Sequence, residues 1–221
     1  WGTSKLIHYE TKDRKKLKGA LFYPADYDSS KLYPMIVVIY EKPSRELHTY
    51  MAPSFESMLG FNATNYTADG YFVLYPDIAY ELDTPGESAL KCVESAVSSV
   101  MRQASIDPSA IALVGHSFGG YEASYILGKS SLFKTAVIGA PMVDLVSAYL
   151  TLDGHGKSNI VRFESSQLRI SKPFYSDTFL NNSPLSTIKN IETPVLIWTG
   201  ENDKQLDWRH AMKLHIGLWK M

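Results

Sequence analysis

Short apolar runs alternate with longer amphipathic stretches along most of this 221-residue chain. Runs of this kind, rich in β-branched and aromatic residues, predict buried β-strands. They are KGALFYP (18–24), PMIVVIY (34–40), YFVLYP (71–76), IALV (111–114), KTAVIGAP (134–141) and PVLIWTG (194–200). Strands that are apolar on both faces and separated by helices predict an α/β fold, with a mostly parallel central sheet and helices on both faces.

The stretches between the strands carry helical periodicity. In residues 87–104 the apolar positions fall on one helical face; they are Ala89, Val93, Ala96, Val97, Val100, Met101 and Ala104. Residues 121–129 and 207–220 also have helix-forming composition. Cys92 is the lone cysteine and lies on the apolar face of the first of these helices, which predicts a buried structural thiol.

Residues 151–183 interrupt the alternation, and we call this segment the excursion. It is polar, holds two glycines around His155 and contains the aromatic residues Phe163, Phe174, Tyr175 and Phe179. Loops of this length inside a compact domain are usually functional or mobile. Two interpretations stay open: an excursion over a functional site, with a short helix near residues 166–170, or a plain surface insertion.

Charge is nearly balanced, with 22 basic and 23 acidic residues, so the composition predicts neither a nucleic-acid partner nor a membrane partner. No apolar run reaches the length of a membrane span, and no repeat or linker divides residues 1–221, which we interpret as a single domain. Because the chain begins at Trp1, we expect it to be a processed or excised piece. Its compartment, whether cytoplasmic, periplasmic or secreted, is left open.

The stretch ALVGHSFGGYEA (112–123) places three glycines in six positions between a predicted strand and a predicted helix. Gly-x-Ser-x-Gly in that context is a nucleophile elbow, a strained turn that projects the serine above the sheet. Its residues are Gly115, His116, Ser117, Phe118, Gly119 and Gly120. We expect Ser117 to be the nucleophile and the amide of Phe118 to bind an oxyanion. An ordinary glycine-rich turn with a chance serine is the alternative.

A serine nucleophile of this fold needs an acid and then a histidine, in that chain order. The loop TGENDKQ after the last predicted strand offers Asp203 as the acid, unless it is simply a solvated turn. Asp144, the last residue of IGAPMVD, also follows a predicted strand and is the second candidate.

None of the six histidines suits the role of base. They are His8 and His48 near the start, His116 in the elbow, His155 before the acid, and His210 and His215 on the predicted last helix. The base should come from a loop after one further strand. The sequence therefore predicts a hydrolase domain whose last strand, base loop and final helix lie beyond Met221.

Several segments resemble the catalytic domain of the prolyl oligopeptidase family of serine peptidases, in the branch of dipeptidyl and acylaminoacyl peptidases. GHSFGGYEA is similar to that family's Gly-His-Ser-x-Gly-Gly-Tyr elbow, and IDPSAIALVGHS to its lead-in. FKTAVIGAPMVDL and the region from SPLSTIKN to the last helix resemble the segments that carry the acid. YPMIVVIYEKPS matches a strand and loop that usually read Tyr-Gly-Gly-Pro.

The resemblance implies an α/β-hydrolase fold with Ser117 as nucleophile and Asp203 as acid. It also implies that the Tyr40 hydroxyl donates to the oxyanion beside the Phe118 amide, although Glu41 and Lys42 replace the two glycines. The family's histidine lies about thirty residues beyond the acid, which agrees with the chain order derived above. A β-propeller ahead of this domain is expected in the parent protein.

These features predict a serine peptidase that hydrolyses peptide substrates through an acyl-enzyme, as an exo- or oligopeptidase, without metal or cofactor. A carboxylesterase of the same fold and a non-catalytic binding domain are the alternatives, since fold does not determine substrate. Without its base, the chain should be nearly inert. The strand at 195–199 would expose an apolar edge, which predicts self-association.

Overall fold

The computed structural model describes residues 2–55 and 61–221 of the protein. Across these ranges the chain forms seven strands: β1 (Ser4–Glu10), β2 (Lys16–Phe22), β3 (Tyr33–Ile39), β4 (Phe72–Pro76), β5 (Ile106–His116), β6 (Thr135–Gly139) and β7 (Val195–Trp198). The α-helices there are α1 (Ala63–Ala68), α2 (Pro85–Met101), α3 (Phe118–Leu127), α4 (Leu145–Tyr149), α5 (Asp177–Asn181) and α6 (Arg209–Trp219). Within the same ranges, no helix combines the length and hydropathy that crossing a membrane requires.

The strands form one sheet in the order β1-β2-β4-β3-β5-β6-β7. The five strands from β4 to β7 in that order run parallel to their neighbours, while β2 is antiparallel to both β1 and β4. The prediction of a mostly parallel sheet is therefore confirmed.

The larger core lies on the sheet face covered by α2, α3 and α6. Five of the seven apolar positions predicted for the helix at 87–104 are fully buried there, and Cys92 is a buried free thiol. The helix itself ends at Met101, three residues before the predicted end. Burial raises the pKa of the Cys92 thiol, consistent with a structural role.

The opposite face carries a smaller core covered by α1 and by residues near the 3₁₀ helix Pro43–His48. Helices thus lie on both faces, as predicted. The cover does not extend to β7, where the side chain of Leu196 is 64% exposed and that of Trp198 43% exposed.

Strand β1 and helices α1, α4 and α5 were missed from the sequence, and β1 and α1 show why. Strand β1 buries only alternate side chains, Ile7 and Tyr9, so it lacks a continuous apolar run. Helix α1 is short and has weak helix formers. Its N-cap is Asn62, whose side chain accepts a hydrogen bond from the Thr64 amide.

The helix predicted near residues 166–170 is wrong. A π-helix, Arg162–Ser166, ends where that helix was expected to begin, and α5 follows only at Asp177. Arg169 has a φ of 52°, which is incompatible with a right-handed helix. Leu168 and Ile170, on either side of it, are both completely buried.

Candidate active site

The predicted site residues follow three parallel strands, at the edge of the sheet where those strands end. In the register, Ile39 of β3 pairs with Gly115, His116 pairs with Gly139, and Gly139 pairs with Trp198 of β7. Tyr40, Ser117 and the loop after β7 therefore leave the sheet at one level. The carboxyl edge of a parallel sheet is the usual ligand-binding edge of open α/β folds.

The backbone of Ser117 has the strained geometry of an elbow, with φ 57° and ψ −118°. Its amide donates to the carbonyl of Gly139 at 2.9 Å, and its own carbonyl accepts from the Tyr121 amide at 3.1 Å. These bonds tie the turn to β6 on one side and to α3 on the other. Such strain persists only where the surroundings over-determine it, and it is common at catalytic positions.

The glycines of the motif are required by backbone contacts. A Cβ atom on Gly115 would overlap the carbonyl oxygen of Gly119, and one on Gly119 would overlap the carbonyl oxygen of Ile39. A Cβ on Gly120 would lie 2.5 Å from the oxygen of Gly139. In each case the nearest atom belongs to the main chain and cannot rotate away.

Phe118 is the first residue of α3, so its amide has no acceptor within the helix and lies beside Ser117. Its ring is buried in what we call the site cluster, a set of buried side chains beneath this edge of the sheet. The members are Phe118, Tyr121, Met142, Leu145, Ala148, Phe163, Leu168, Ile170, Phe179 and Leu206. Four of them come from the excursion.

Tyr40 is half-buried and packs against the site cluster. Its phenolic oxygen accepts a hydrogen bond from Nε2 of Gln167 at 3.4 Å. Glu41, at one of the positions where the resemblance implies glycine, has a φ of 47°, and its carbonyl accepts from the Ile78 amide at 2.7 Å. Residue 41 therefore has a left-handed backbone although it is not a glycine.

Asp203 lies in the loop at residues 199–208, which we call the acid loop. Its carboxylate accepts hydrogen bonds from the amides of Gln205 at 2.8 Å and Leu206 at 3.2 Å. The Leu206 side chain anchors the loop in the site cluster. Asp144, the second candidate acid, instead caps α4 and pairs with Lys213 at 2.6 Å.

Among the histidines near this edge, His116 and His210 have side-chain contacts with residues other than Ser117 and Asp203. The ring of His116 stacks on Trp198 with centroids 5.0 Å apart. Burial lowers the pKa of His116, although the Asp203 carboxylate acts in the opposite direction. His210 is buried, and its Nδ1 accepts from the Val143 amide at 3.4 Å. In the described ranges, no histidine side chain is hydrogen-bonded to Ser117 or Asp203.

The excursion makes contact with both flanks of this edge. The amide of Gly154 donates to the carbonyl of Lys204 in the acid loop at 2.7 Å, and both segments line a cavity of about 360 Å³. Further along the excursion, Gln167 reaches Tyr40 as described, and the Ser171 amide donates to Asp83 at 2.6 Å. The excursion therefore passes from the acid loop to the Tyr40 side.

Glu122 and Tyr80 were not identified from the sequence. Glu122 is completely buried on α3, where one carboxyl oxygen accepts from the Tyr80 hydroxyl and the other, Oε2, has no hydrogen-bond partner. Burial raises the pKa of Glu122 to about 8. Its only sequence signal is a lone carboxylate between Tyr121 and Ala123 in an otherwise apolar helix.

Known proteins resemble this chain in sequence and in fold. A sequence model described as the prolyl oligopeptidase family matches residues 85–220, from the start of α2 to the end of α6. The chain belongs to the prolyl oligopeptidase family. The match includes the elbow, the excursion and the acid loop.

Two relatives show how much of a family protein the chain represents. It is 28% identical over 230 residues to uncharacterized peptidase YuxL of Bacillus subtilis, covering 97% of this chain and 33% of the relative. It is 21% identical over 210 residues to the acylamino-acid-releasing enzyme of Mus musculus, covering 90% of this chain and 28% of the relative. The chain thus spans about a third of the length of these relatives.

Solved structures of the family share the fold. Pyrococcus horikoshii acylaminoacyl peptidase superposes with a TM-score of 0.78 at 17% identity, over 99% of this chain and 35% of that one. Porphyromonas gingivalis dipeptidyl peptidase 4 superposes with a TM-score of 0.75 at 18% identity, over 100% of this chain and 30% of that one. The architecture is that of an α/β-hydrolase. Over the described residues, no three His, Cys, Asp or Glu side chains are grouped to hold a metal.

Proposed function

We propose that this chain is the catalytic domain of a serine peptidase in which Ser117 is the nucleophile. The observation that carries the proposal is the strained backbone of Ser117 at the carboxyl edge of the sheet, enforced by main-chain contacts at three glycines. The site cluster brings Phe118, Tyr40 and the acid loop around it. An ordinary glycine-rich turn would have no need for strain at a serine.

In the proposed reaction the Ser117 hydroxyl attacks the carbonyl carbon of a peptide bond and transfers its proton to a histidine. The tetrahedral oxyanion accepts hydrogen bonds from the Phe118 amide and the Tyr40 hydroxyl. Collapse of the intermediate breaks the C–N bond, and the histidine returns the proton to the leaving amine. Water then hydrolyses the acyl-enzyme, which restores Ser117.

We assign Asp203 to orient that histidine and place the histidine outside residues 1–221. Asp203 is favoured over Asp144 because the latter is occupied by its ion pair and helix cap. His116 and His210, which lie near this edge, are held by Trp198 and Val143. A complete protein with a propeller ahead of this domain would agree with the fraction of its relatives that the chain spans.

Peptides are the proposed substrate class, cleaved in an exo- or oligopeptidase manner. The names of the two relatives, a peptidase and an acylamino-acid-releasing enzyme, support peptide over ester substrates. The oxyanion donors proposed here act on any acyl group, so substrate class depends on surfaces around the serine.

Labelling of the complete protein by a fluorophosphonate tests this proposal. Ser117→Ala should abolish labelling, and Asp203→Asn should slow it by about 10⁴-fold, the order found when a triad acid is lost. Asp207→Asn is the matched control, because Asp207 lies in the same loop but pairs with Arg209. Labelling that persists in Ser117→Ala, or an Asp207→Asn defect equal to that of Asp203→Asn, would contradict the assignment.

We also propose that the isolated chain self-associates through β7. Among the described strands β7 pairs only with β6, and Leu196 is exposed on its uncovered face. An unpaired apolar edge favours strand addition. Sedimentation of the chain should show concentration-dependent oligomers that Leu196→Lys reduces, while Leu32→Lys, at a similarly exposed site, has no effect. A monodisperse monomer at all concentrations would refute this.

A further inference from the structure

The proposed oxyanion donor, Tyr40, is contacted by a side chain that lies 127 residues away in the sequence. Gln167 donates from Nε2 to the phenolic oxygen at 3.4 Å. A phenol has a single O–H and accepts through the same oxygen. When an amide N–H occupies the acceptor side, the phenolic hydrogen must point elsewhere. This bond therefore restricts where Tyr40 can donate.

Gln167 is held in place by its own backbone. Its amide donates to the Arg162 carbonyl at 3.1 Å, and its carbonyl accepts from Nη1 of Arg169 at 2.7 Å. The next residue, Leu168, is completely buried in the site cluster with Phe118. The segment that carries Gln167 thus shares a buried cluster with the residue whose amide is the other proposed donor.

The same segment is anchored to the loop between β4 and α2. The Arg169 guanidinium lies over the Tyr80 ring, 4.8 Å from its centroid, and the Arg169 carbonyl accepts from the Asp83 amide at 3.0 Å. The amide and hydroxyl of Ser171 both donate to the Asp83 carboxylate. These contacts fix both the position and the direction of the chain at Gln167.

We propose that Gln167 is a positioning residue for the oxyanion site, and that the excursion is a structural part of that site. By donating to the phenolic oxygen of Tyr40, Gln167 directs the phenolic hydrogen toward the oxyanion. A donor that is itself an acceptor in a hydrogen-bond chain is polarised and donates more strongly. This inference rests on the proposed function and deepens it, since it assigns a role to a residue outside the triad.

Replacement of the Gln167 amide by a carboxylate should reverse the polarity of this contact. In Gln167→Glu the ionised side chain only accepts, so it draws the phenolic hydrogen away from the oxyanion. On acidification the carboxyl group becomes protonated and can again donate to Tyr40. Gln167→Leu removes the donor without capturing the hydrogen, and its effect should not depend on the protonation of residue 167.

The experiment uses the complete protein and measures fluorophosphonate labelling of Ser117 together with kcat and KM on a peptide anilide. Gln167→Glu should lower kcat by about tenfold at neutral pH, a fraction of the loss caused by removing a whole oxyanion donor. KM should stay within about twofold, since the oxyanion forms only in the transition state. The rate relative to wild type should recover toward roughly pH 4–5, where glutamate is protonated.

Two further variants separate this role from a structural one. In a Tyr40→Phe background, Gln167→Glu should have no additional effect, because the acceptor is gone. Gln103→Glu controls for the added charge, as Gln103 lies two residues after α2 and donates to Ser99. Thermal unfolding of each variant shows whether it is folded; a Gln167→Glu protein with lost activity and no recovery in acid overturns the proposal.

The outcomes distinguish this inference from the proposed function. Absence of wild-type labelling at Ser117 refutes the serine mechanism and the inference with it. A Tyr40→Phe variant with wild-type rates refutes the oxyanion role of Tyr40 and therefore that of Gln167. Normal labelling, a Tyr40→Phe defect and full activity of Gln167→Glu refute the role of Gln167 alone. So does a Gln167→Glu effect that adds fully to that of Tyr40→Phe.

Discussion

The elbow and the acid loop have the same local plan but different physical character. Each follows a parallel strand, contains a glycine and leads into a helix. In the elbow, main-chain atoms surround the glycines closely, and all ten residues of α3 are buried. In the acid loop, a Cβ on Gly200 would meet no atom within 4 Å, and α6 buries only three residues.

This difference separates two ways of placing a functional group. The nucleophile is held by sterics that allow one backbone path, whereas Asp203 is held by two hydrogen bonds to its own loop and by the Leu206 anchor. A strained serine needs a rigid frame, because the strain would otherwise relax. An acid that orients a histidine needs only to lie close to that histidine, and this requires no strained backbone.

Adding one methyl group to a glycine of the elbow and one to the glycine of the acid loop tests this difference most directly. Gly119→Ala should lower the free energy of unfolding by about 3 kcal/mol or more, since the overlapping atom is a main-chain oxygen. Gly200→Ala should change it by less than about 0.5 kcal/mol, as an exposed site with free space allows. Urea unfolding measures both, and equal losses would remove the distinction.

A second test contrasts the carboxylates of the two regions. The buried Glu122 has a pKa raised to about 8 from 4.5, so the folded state binds its proton more tightly than the unfolded state. The contribution of Glu122 to the free energy of unfolding is fully present below the pKa of the carboxyl group in the unfolded state. It is lost as the pH rises to the pKa in the folded state. Each pH unit between the two values costs about 1.4 kcal/mol. The contribution of Glu122 to stability should therefore fall by about 2–3 kcal/mol from pH 6 to 8.

Glu122→Gln should remove this slope, because glutamine does not ionise and its oxygen can still accept from Tyr80. Glu201→Gln, an exposed residue of the acid loop, should leave the slope unchanged. Chemical denaturation at several pH values gives both curves. A slope that survives in Glu122→Gln would place the titrating group elsewhere.

The smallest expected effect concerns the backbone of the nucleophile itself. Because Ser117 has a positive φ, Ser117→Gly should be more stable than Ser117→Ala by about 1 kcal/mol. In the acid loop, where Lys204 has no such strain, Lys204→Gly should show no such gain over Lys204→Ala. Unfolding midpoints decide this, and a Ser117→Gly variant no more stable than Ser117→Ala would show that the turn is unstrained.

Much of the fold and part of the candidate site were predictable because they depend on local chemistry. The apolar runs that became β3 to β7 each carry their signal within a few residues, as does the spacing of the glycines around Ser117. Strand β1 was missed because most of its side chains face solvent. The helix expected near residues 166–170 is absent because Leu168 and Ile170 are both buried on either side of a left-handed Arg169.

The local sequence was enough to predict the α/β class and the elbow and to propose Asp203 as the acid, since each depends on residues adjacent along the chain. Which distant groups meet depends on how the whole chain folds. Tyr80 and Glu122 are 42 residues apart, and Tyr40 and Gln167 are 127 apart. Their contacts depend on the strand order and on how the excursion folds back over the edge. Local periodicity predicts neither the strand order nor the path of the excursion, because both follow from burying the site cluster as a whole.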